Sequence, residues 1–264
     1  MKILFFGDVI GKIGRQALTK ILPELKAEYQ PDLIMANAEN AAHGIGITQK
    51  TLEDLKKAGV DFFTSGNHIF AKAEAEGLLT ASDSVIVRPA NYPPGVAGAE
   101  YKIVEIGSRS IAIINLVGRV FMRENFDCPF RKLDELLEKI NTKNLAGIIV
   151  DLHAEATSEK KAFGWYANGR VTAVVGTHTH VPTADAAILP QGTAYVTDLG
   201  MVGAIDSVIG DKKEPILKSF LTQGAAILEI PEEGEVEVDG VLIEFDPKTQ
   251  KATSIIRVDR KVMV

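Results

Sequence analysis

The chain has 264 residues, 46 % apolar and 24 % charged, the balance of an ordinary globular protein, with a formal net charge of −6. That charge argues against general nucleic-acid binding, which needs a basic face against phosphates, although a local cation can reverse the field in one cleft. Cys128 is the only cysteine, the apolar start "MKILFFGD" is too short for a signal peptide, and no apolar run reaches the roughly 20 residues of a membrane span, so a cytoplasmic protein without disulfides or membrane contact is expected.

In chain order, "KILFFG" (2–7) reads as a buried strand. "RQALTKILPELKAEY" (15–29) reads as a helix with Ala17, Ile21, Leu22 and Leu25 on one face and a kink expected at Pro23. "DLIMAN" (32–37) is a second strand, "TQKTLEDLKKAG" (48–59) a helix opened by Thr48 and stopped by Gly59, and "DFFTSG" (61–66) a third strand. This alternation implies parallel pairing with right-handed crossovers. A Pro/Gly loop spans 88–98, a hairpin 101–116 turns at Gly107-Ser108, and a helix covers about 131–142. "AGIIVDLH" (146–153) and "VTAVVGTH" (171–178) are strands, and short strands and turns dominate from about 185, with one helix near 213–221. With no repeat or linker, the expectation is one α/β domain over 1–264, its sheet parallel early and antiparallel late.

Polar residues able to bind a metal close one predicted strand after another: Asp8, Glu39-Asn40, Asn67-His68, His153, and the pair His178 and His180. In α/β sheets the carboxyl ends of strands form the rim where ligands bind, so these groups would converge. Taken singly, each has a plainer explanation. Asp8 suits a turn or helix cap, Glu39-Asn40 a solvated loop, Asn67 a left-handed turn after Gly66, and His153 a hydrogen-bonded core histidine. His178 and His180 resist that treatment, because residues i and i+2 of an extended backbone face the same way and can both chelate. His43, in a Gly-rich loop, has no assigned role, and a substrate-side loop is preferred to a ligand.

"GDVIGKIG" after a strand outlines a dinucleotide-binding turn, but its glycines fall at 7, 11 and 14, outside the G-x-G-x-x-G spacing. That reading also leaves His153, His178 and His180 idle. H-E-x-x-H and G-x-S-x-G are both absent, which removes the usual zinc-protease and serine-hydrolase readings.

Together Gly7-Asp8, "NAEN" (37–40), "GNH" (66–68), "DLHAEATSEK" (151–160) and "GTHTH" (176–180) resemble the calcineurin-like metallophosphoesterases, specifically the bacterial branch acting as 2′,3′-cyclic-nucleotide 2′-phosphodiesterases. "GRQAL", "AENAAHGIGIT" and "VVGTHTHVPTAD" extend the likeness over nearly the whole chain. The resemblance implies a layered sandwich of mixed sheets flanked by helices, with a binuclear metal centre at the C-terminal strand ends. It implies that Asp8, Glu39, Asn40 and His180 hold one ion and Glu39, Asn67, His153 and His178 the other, with Glu39 bridging and His68 as proton donor. The cofactors would be two divalent or trivalent ions, iron first and manganese or zinc after it, activating a bridging hydroxide. The partner would be a small phosphodiester such as a 2′,3′-cyclic nucleotide, with a homo-oligomer left open. The sequence departs from the wider superfamily where D-x-H reads Asp8-Val9-Ile10, where Glu39 replaces the bridging Asp, and where Ile69 follows G-N-H. A metal- and nucleotide-binding regulator with little turnover is the alternative.

Overall fold

The computed structural model describes residues 1–225 and 227–264. Along the chain lie β1 (Lys2–Val9), α1 (Gly11–Tyr29), β2 (Leu33–Asn37), α2 (Gln49–Ala58), β3 (Phe62–Thr64), α3 (Ala75–Thr80), β4 (Tyr101–Ile106), β5 (Arg109–Val117) and α4 (Pro129–Lys139). They are followed by β6 (Gly147–His153), α5 (Thr157–Ala167), β7 (Ala173–Thr177), β8 (Ala187–Ile188), β9 (Ala194–Val196), β10 (Met201–Ala204), α6 (Lys213–Thr222), β11 (Glu235–Val238), β12 (Gly240–Asp246), β13 (Lys251–Arg257) and β14 (Arg260–Met263).

These strands form two mixed sheets, not one sheet that changes direction partway along the chain. In the first, β1 pairs in parallel with β2 and, at Asp8 and Val9, with β10, while β12 runs antiparallel along residues 2–6. β3 extends the parallel edge beyond β2, and β13, β11 and β14 complete the sheet. The second sheet has the order β4-β5-β6-β7-β9-β8, parallel from β5 to β9 with an antiparallel strand at each edge. The late strands β9 and β10 thus join early ones in parallel. Strand direction follows which edge a segment can reach, and composition after residue 185 does not encode that.

Three apolar layers hold the assembly. Leu4 and Phe6 on one face of β1 pack with Ile13, Leu18 and Leu22 of α1 and Leu55 of α2. Ile3 and Phe5 on the other face meet Ile113, Ile149 and Val175 of the second sheet. The far side of that sheet is covered by Leu133 and Leu136 of α4 and Phe163 of α5. The period-2 alternation of β1 therefore feeds two cores, giving helix, sheet, sheet and helix layers.

α1 begins at Gly11, four residues before the expected start. Gly11 has φ +56°, its N–H donates to the Asn40 carbonyl, and a Cβ at Gly14 would strike the Val202 carbonyl, so the helix starts directly off the strand. Pro23 sits exposed without ending the helix. Thr48 and Gly59 cap α2 as expected, with a reciprocal Thr48–Thr51 box. α4 starts earlier than expected because Pro129 suits its first turn, and stops earlier as Ile140 turns extended, while α5 is a helix beyond those the sequence pattern predicts.

Candidate metal centre

Both sheets deliver side chains to one rim. From the first come Asp8 near the end of β1, Glu39 and Asn40 just after β2, and Asn67 and His68 after β3. From the second come His153, the last residue of β6, and His178 and His180 after β7. Asp8, Glu39, Asn40 and His153 are almost wholly buried. Glu39, His153 and His178 present ligand atoms all within 4.8 Å of one another. Glu39 Oε1 lies 3.0 Å from His153 Nε2, and His178 Nδ1 lies 3.0 Å from that same nitrogen. Across the rim, His180 Nε2 is 3.7 Å from Asp8 Oδ1 and 3.1 Å from Asn40 Nδ2.

The expected extended run through the two histidines is absent. His178 has φ +100° and His180 φ +61°, so the chain bends and the rings part, one toward His153 and the other toward Asp8. Non-glycine residues in this region are uncommon, and each such backbone stores about 1–3 kcal/mol that surrounding contacts must offset. Two contacts are visible: the His178 N–H donates to Asp8 Oδ2 at 3.1 Å, and the Thr179 N–H to Asp198 Oδ2 at 3.2 Å. Asp198 is itself paired in the interior with Lys160 Nζ, 2.5 Å away, which also donates to the Thr177 carbonyl.

Every imidazole of the cluster has its outer nitrogen engaged. Thr177 Oγ1 donates to Asp151 Oδ1 at 2.7 Å, so it accepts from His153 Nδ1 at 2.9 Å. Glu155 Oε2 stands 3.3 Å from His178 Nε2, and the Ile209 carbonyl accepts from His180 Nδ1 at 2.7 Å. Acceptors so placed hold the outer N–H of each ring and turn His153 Nε2, His178 Nδ1 and His180 Nε2 inward, where each offers a lone pair once a metal displaces its proton. Asp151 is completed by the hydroxyl of Thr64 and by Asn37 Nδ2 at 3.1 Å. Thr177, Asp151, Asn37, Glu155 and Ile209 are residues that sequence reasoning missed. Asn37, Asp151, Glu155 and Thr177 stood inside the quoted motifs, but only their contacts reveal what they do.

The field at the rim favours a cation. Asp8 and Glu39 are held below the usual carboxylate range: burial opposes their charge, and the neighbouring histidines outweigh it. His180 is drawn up to about 9 because Asp8 outweighs its burial, while burial and the nearby His153 push His178 down to about 3. Glu39 Oε1 and Asn67 Oδ1 are buried with no hydrogen-bond partner among the described residues. Buried oxygens of this kind are rarely left unpaired without another use. A Cβ at Gly66 would collide with Glu39 Oε2 and the His153 ring, so glycine keeps this cradle open. A donor set of carboxylate, amide and imidazole without thiolate fits a divalent or trivalent transition ion.

Asn40 departs from its expected role in one respect. Its Oδ1 faces His68 Nδ1 at 3.2 Å, and its Nδ2 faces Asp8 and His180. Rotating the amide would turn Oδ1 toward Asp8 and His180. Nδ2 would then donate to His68 Nδ1 and place the ring proton on Nε2. His68 is further tied to Glu39, whose Oε2 accepts its backbone N–H at 3.0 Å. His68 also lines a cavity of about 640 Å³ together with Lys12, His43, Ile45, Leu228 and Ile230. His43 thus stands on the open side of the rim, in a cavity wall and away from the donor cluster.

A family model described as "YmdB-like protein" matches residues 4–258. The chain is 45 % identical over 258 residues to the Bacillus subtilis protein named 2′,3′-cyclic-nucleotide 2′-phosphodiesterase, covering 98 % of this chain and 96 % of that one. Among solved structures, a hypothetical protein from Thermus thermophilus superposes with a TM-score of 0.91 at 39 % identity, covering 99 % of each chain. A structure described as a novel phosphatase from Mycoplasma pneumoniae superposes with a TM-score of 0.91 at 38 % identity, covering 99 % of this chain and 93 % of that one. With two mixed sheets between helices, a metallophosphoesterase-type architecture, and a likeness running from end to end, this chain belongs to the YmdB-like protein family.

Proposed function

We propose that this protein is a metal-dependent phosphodiesterase that opens 2′,3′-cyclic phosphates of ribonucleotides to 3′-phosphates. The reading is carried by the rim cluster, whose three imidazoles are pinned by outer acceptors beside two unpartnered oxygens at the foot of a cavity. It is supported by the name of the Bacillus subtilis relative. We assign Asp8, Glu39, Asn40 and His180 to one ion and Glu39, Asn67, His153 and His178 to a second, with iron the first expectation and manganese or zinc after it. The parting of His178 and His180 supports two half-sites that meet at Glu39.

Bound ions would supply Lewis acidity at the phosphoryl oxygens and make a water nucleophilic near neutral pH. The chain's own part is positioning. Asp8 and Glu39 arrive ionised, and the outer acceptors hold each imidazole in one tautomer, so no donor has to reorient as substrate arrives. The bond to break joins phosphorus to O2′, and that oxygen needs a proton as it leaves. His68, with Nδ1 held by Asn40 and Nε2 free, is placed to give it, a contribution of roughly 10²–10⁴ in rate. The cavity wall beyond His68 has apolar surface at Ile45, Leu228 and Ile230 that suits the flat face of a base.

The test is elemental analysis of the purified protein beside a hydrolysis panel of 2′,3′-cyclic nucleotides, 3′,5′-cyclic nucleotides, phosphomonoesters and a generic diester. The expected result is bound transition metal, preference for the 2′,3′-cyclic substrates and a 3′-phosphate product. Glu39→Gln and His178→Ala should lose metal and activity together, whereas His68→Ala should keep its metal and lose turnover. Unchanged metal content in the first two, or a 2′-phosphate product, refutes the assignment.

A further inference from the structure

The cavity at the rim is lined by two lysines, Lys12 and Lys212, and by the carboxylates of Asp211, Glu229 and Glu232. Within the cavity Lys212 is paired with Glu229 at 2.9 Å, whereas Lys12 has no carboxylate partner among the described residues. Lys12 also lines a second groove, of about 400 Å³, between α1 and α2. That groove presents Lys12, Arg15, Lys50 and Lys57 against a single carboxylate, Asp54. Lys50 and Lys57 are exposed and make no ion pair among the described residues. On a chain of net charge −6, four cations in one groove that shares Lys12 with the active-site cavity stand out. The groove is also tied to the rim: the Arg15 guanidinium donates to the Ala41 carbonyl, two residues beyond Glu39. From Lys12 to Thr19 it follows α1 for about 10 Å.

Resting on the phosphodiesterase reading above, we propose that the preferred substrate is a short RNA ending in a 2′,3′-cyclic phosphate, and that this groove holds the phosphates upstream of that end. The chemistry fits the geometry. Both ribose oxygens of the terminal nucleotide are taken by the cyclic phosphate, so its 5′ oxygen is the position through which a chain can leave the cavity. A mononucleotide ends there and has no use for cations further out. An upstream phosphodiester would pass Lys12 and then reach Lys50 and Lys57. Contacts of this type carry no base preference. They also suit a terminus-specific enzyme and not a general nucleic-acid binder, because the track is short and the chain as a whole carries a net charge of −6.

The experiment compares kcat/KM for a 2′,3′-cyclic mononucleotide and a tetranucleotide with the same terminus, using metal-loaded wild-type protein and the Lys50→Gln/Lys57→Gln variant. Wild type should favour the tetranucleotide by about tenfold, and the variant should lose most of that preference. With three free lysines engaged, log kcat/KM for the tetranucleotide should fall against log salt with a slope of about −2 in wild type and about −0.7 in the variant. Equal use of both substrates by wild type, or an unchanged ratio in the variant, overturns the proposal while leaving the phosphodiesterase reading intact. If neither substrate turns over, that reading fails, and fluorescence polarisation of a labelled tetranucleotide then decides the groove: salt-sensitive binding lost in the variant supports it, and no binding overturns it. Stronger competition from polyglutamate than from RNA would assign the groove to an acidic polypeptide and equally overturn the proposal.

Discussion

Replacing Thr177 by valine removes one hydroxyl and keeps the side-chain shape, in a fully buried position. That hydroxyl accepts from His153 Nδ1 at 2.9 Å and from Asn37 Nδ2 at 3.3 Å, and it donates to Asp151 Oδ1 at 2.7 Å. Asn37 keeps its bonds to Ser65 and Asp151, so two buried groups, His153 Nδ1–H and Asp151 Oδ1, lose their partner. At about 1–3 kcal/mol for each, the variant should lose roughly 2–6 kcal/mol of stability. In a domain of this size that is a fall in Tm of about 4–24 °C. The functional effect should be separate. Without Thr177 the His153 ring is free to change tautomer, and losing an outer partner of this kind typically costs 10–100-fold in metal affinity. A thermal melt and a competitive titration against a chelator measure the two quantities, with Thr177→Ser as the control that restores the hydroxyl. A valine variant that melts early yet binds metal within twofold of wild type would refute the claim that this hydroxyl orients a ligand.

Gly66→Ala should abolish metal binding while leaving helix content intact, since its Cβ meets Glu39 and His153; retention of metal, measured by elemental analysis, would contradict the cradle. Lys160→Met leaves Asp198 buried without its cation and should cost about 3–5 kcal/mol, most of it recovered in Lys160→Met/Asp198→Asn; denaturant melts of both variants check this. Burial, reinforced by Glu237 and Asp259, pushes Asp239 up to about 7. The folded state therefore holds a proton that the unfolded chain has released, and stability falls as pH rises from about 4 to 7. Asp239→Asn should consequently stabilise the protein at pH 8, by on the order of 2–4 kcal/mol, and much less at pH 4.5; equal Tm shifts at the two pH values would count against it.

Much of this was readable in the sequence, for local reasons. Asp8, Glu39, His153 and His178 each sit within two residues of a strand's end, and a strand end is marked by where an apolar run stops. The caps of α2 were legible because Thr48 and Gly59 act on their own backbone. What stayed hidden depends on partners far along the chain. The left-handed backbone at His178 and His180 is held by Asp8 and Asp198, and no local pattern announces it. Lys160 on α5 looks like a surface lysine until Asp198 arrives to bury it. The groove shared by α1 and α2 has the same origin: Lys12 and Lys57 become neighbours only when two separate helices pack.

The donors come from both sheets, and the layer of Ile3, Phe5, Ile113, Ile149 and Val175 lies between those sheets. That layer therefore acts as a spacer whose thickness sets the distance between Asp8 or Glu39 on one side and His153 or His178 on the other. A close-packed interior transmits the change when a methylene is added or removed. Any metal selectivity of the proposed site would accordingly depend also on residues that touch no ion. A drift in core volume would retune the site through its width long before any ligand changed identity.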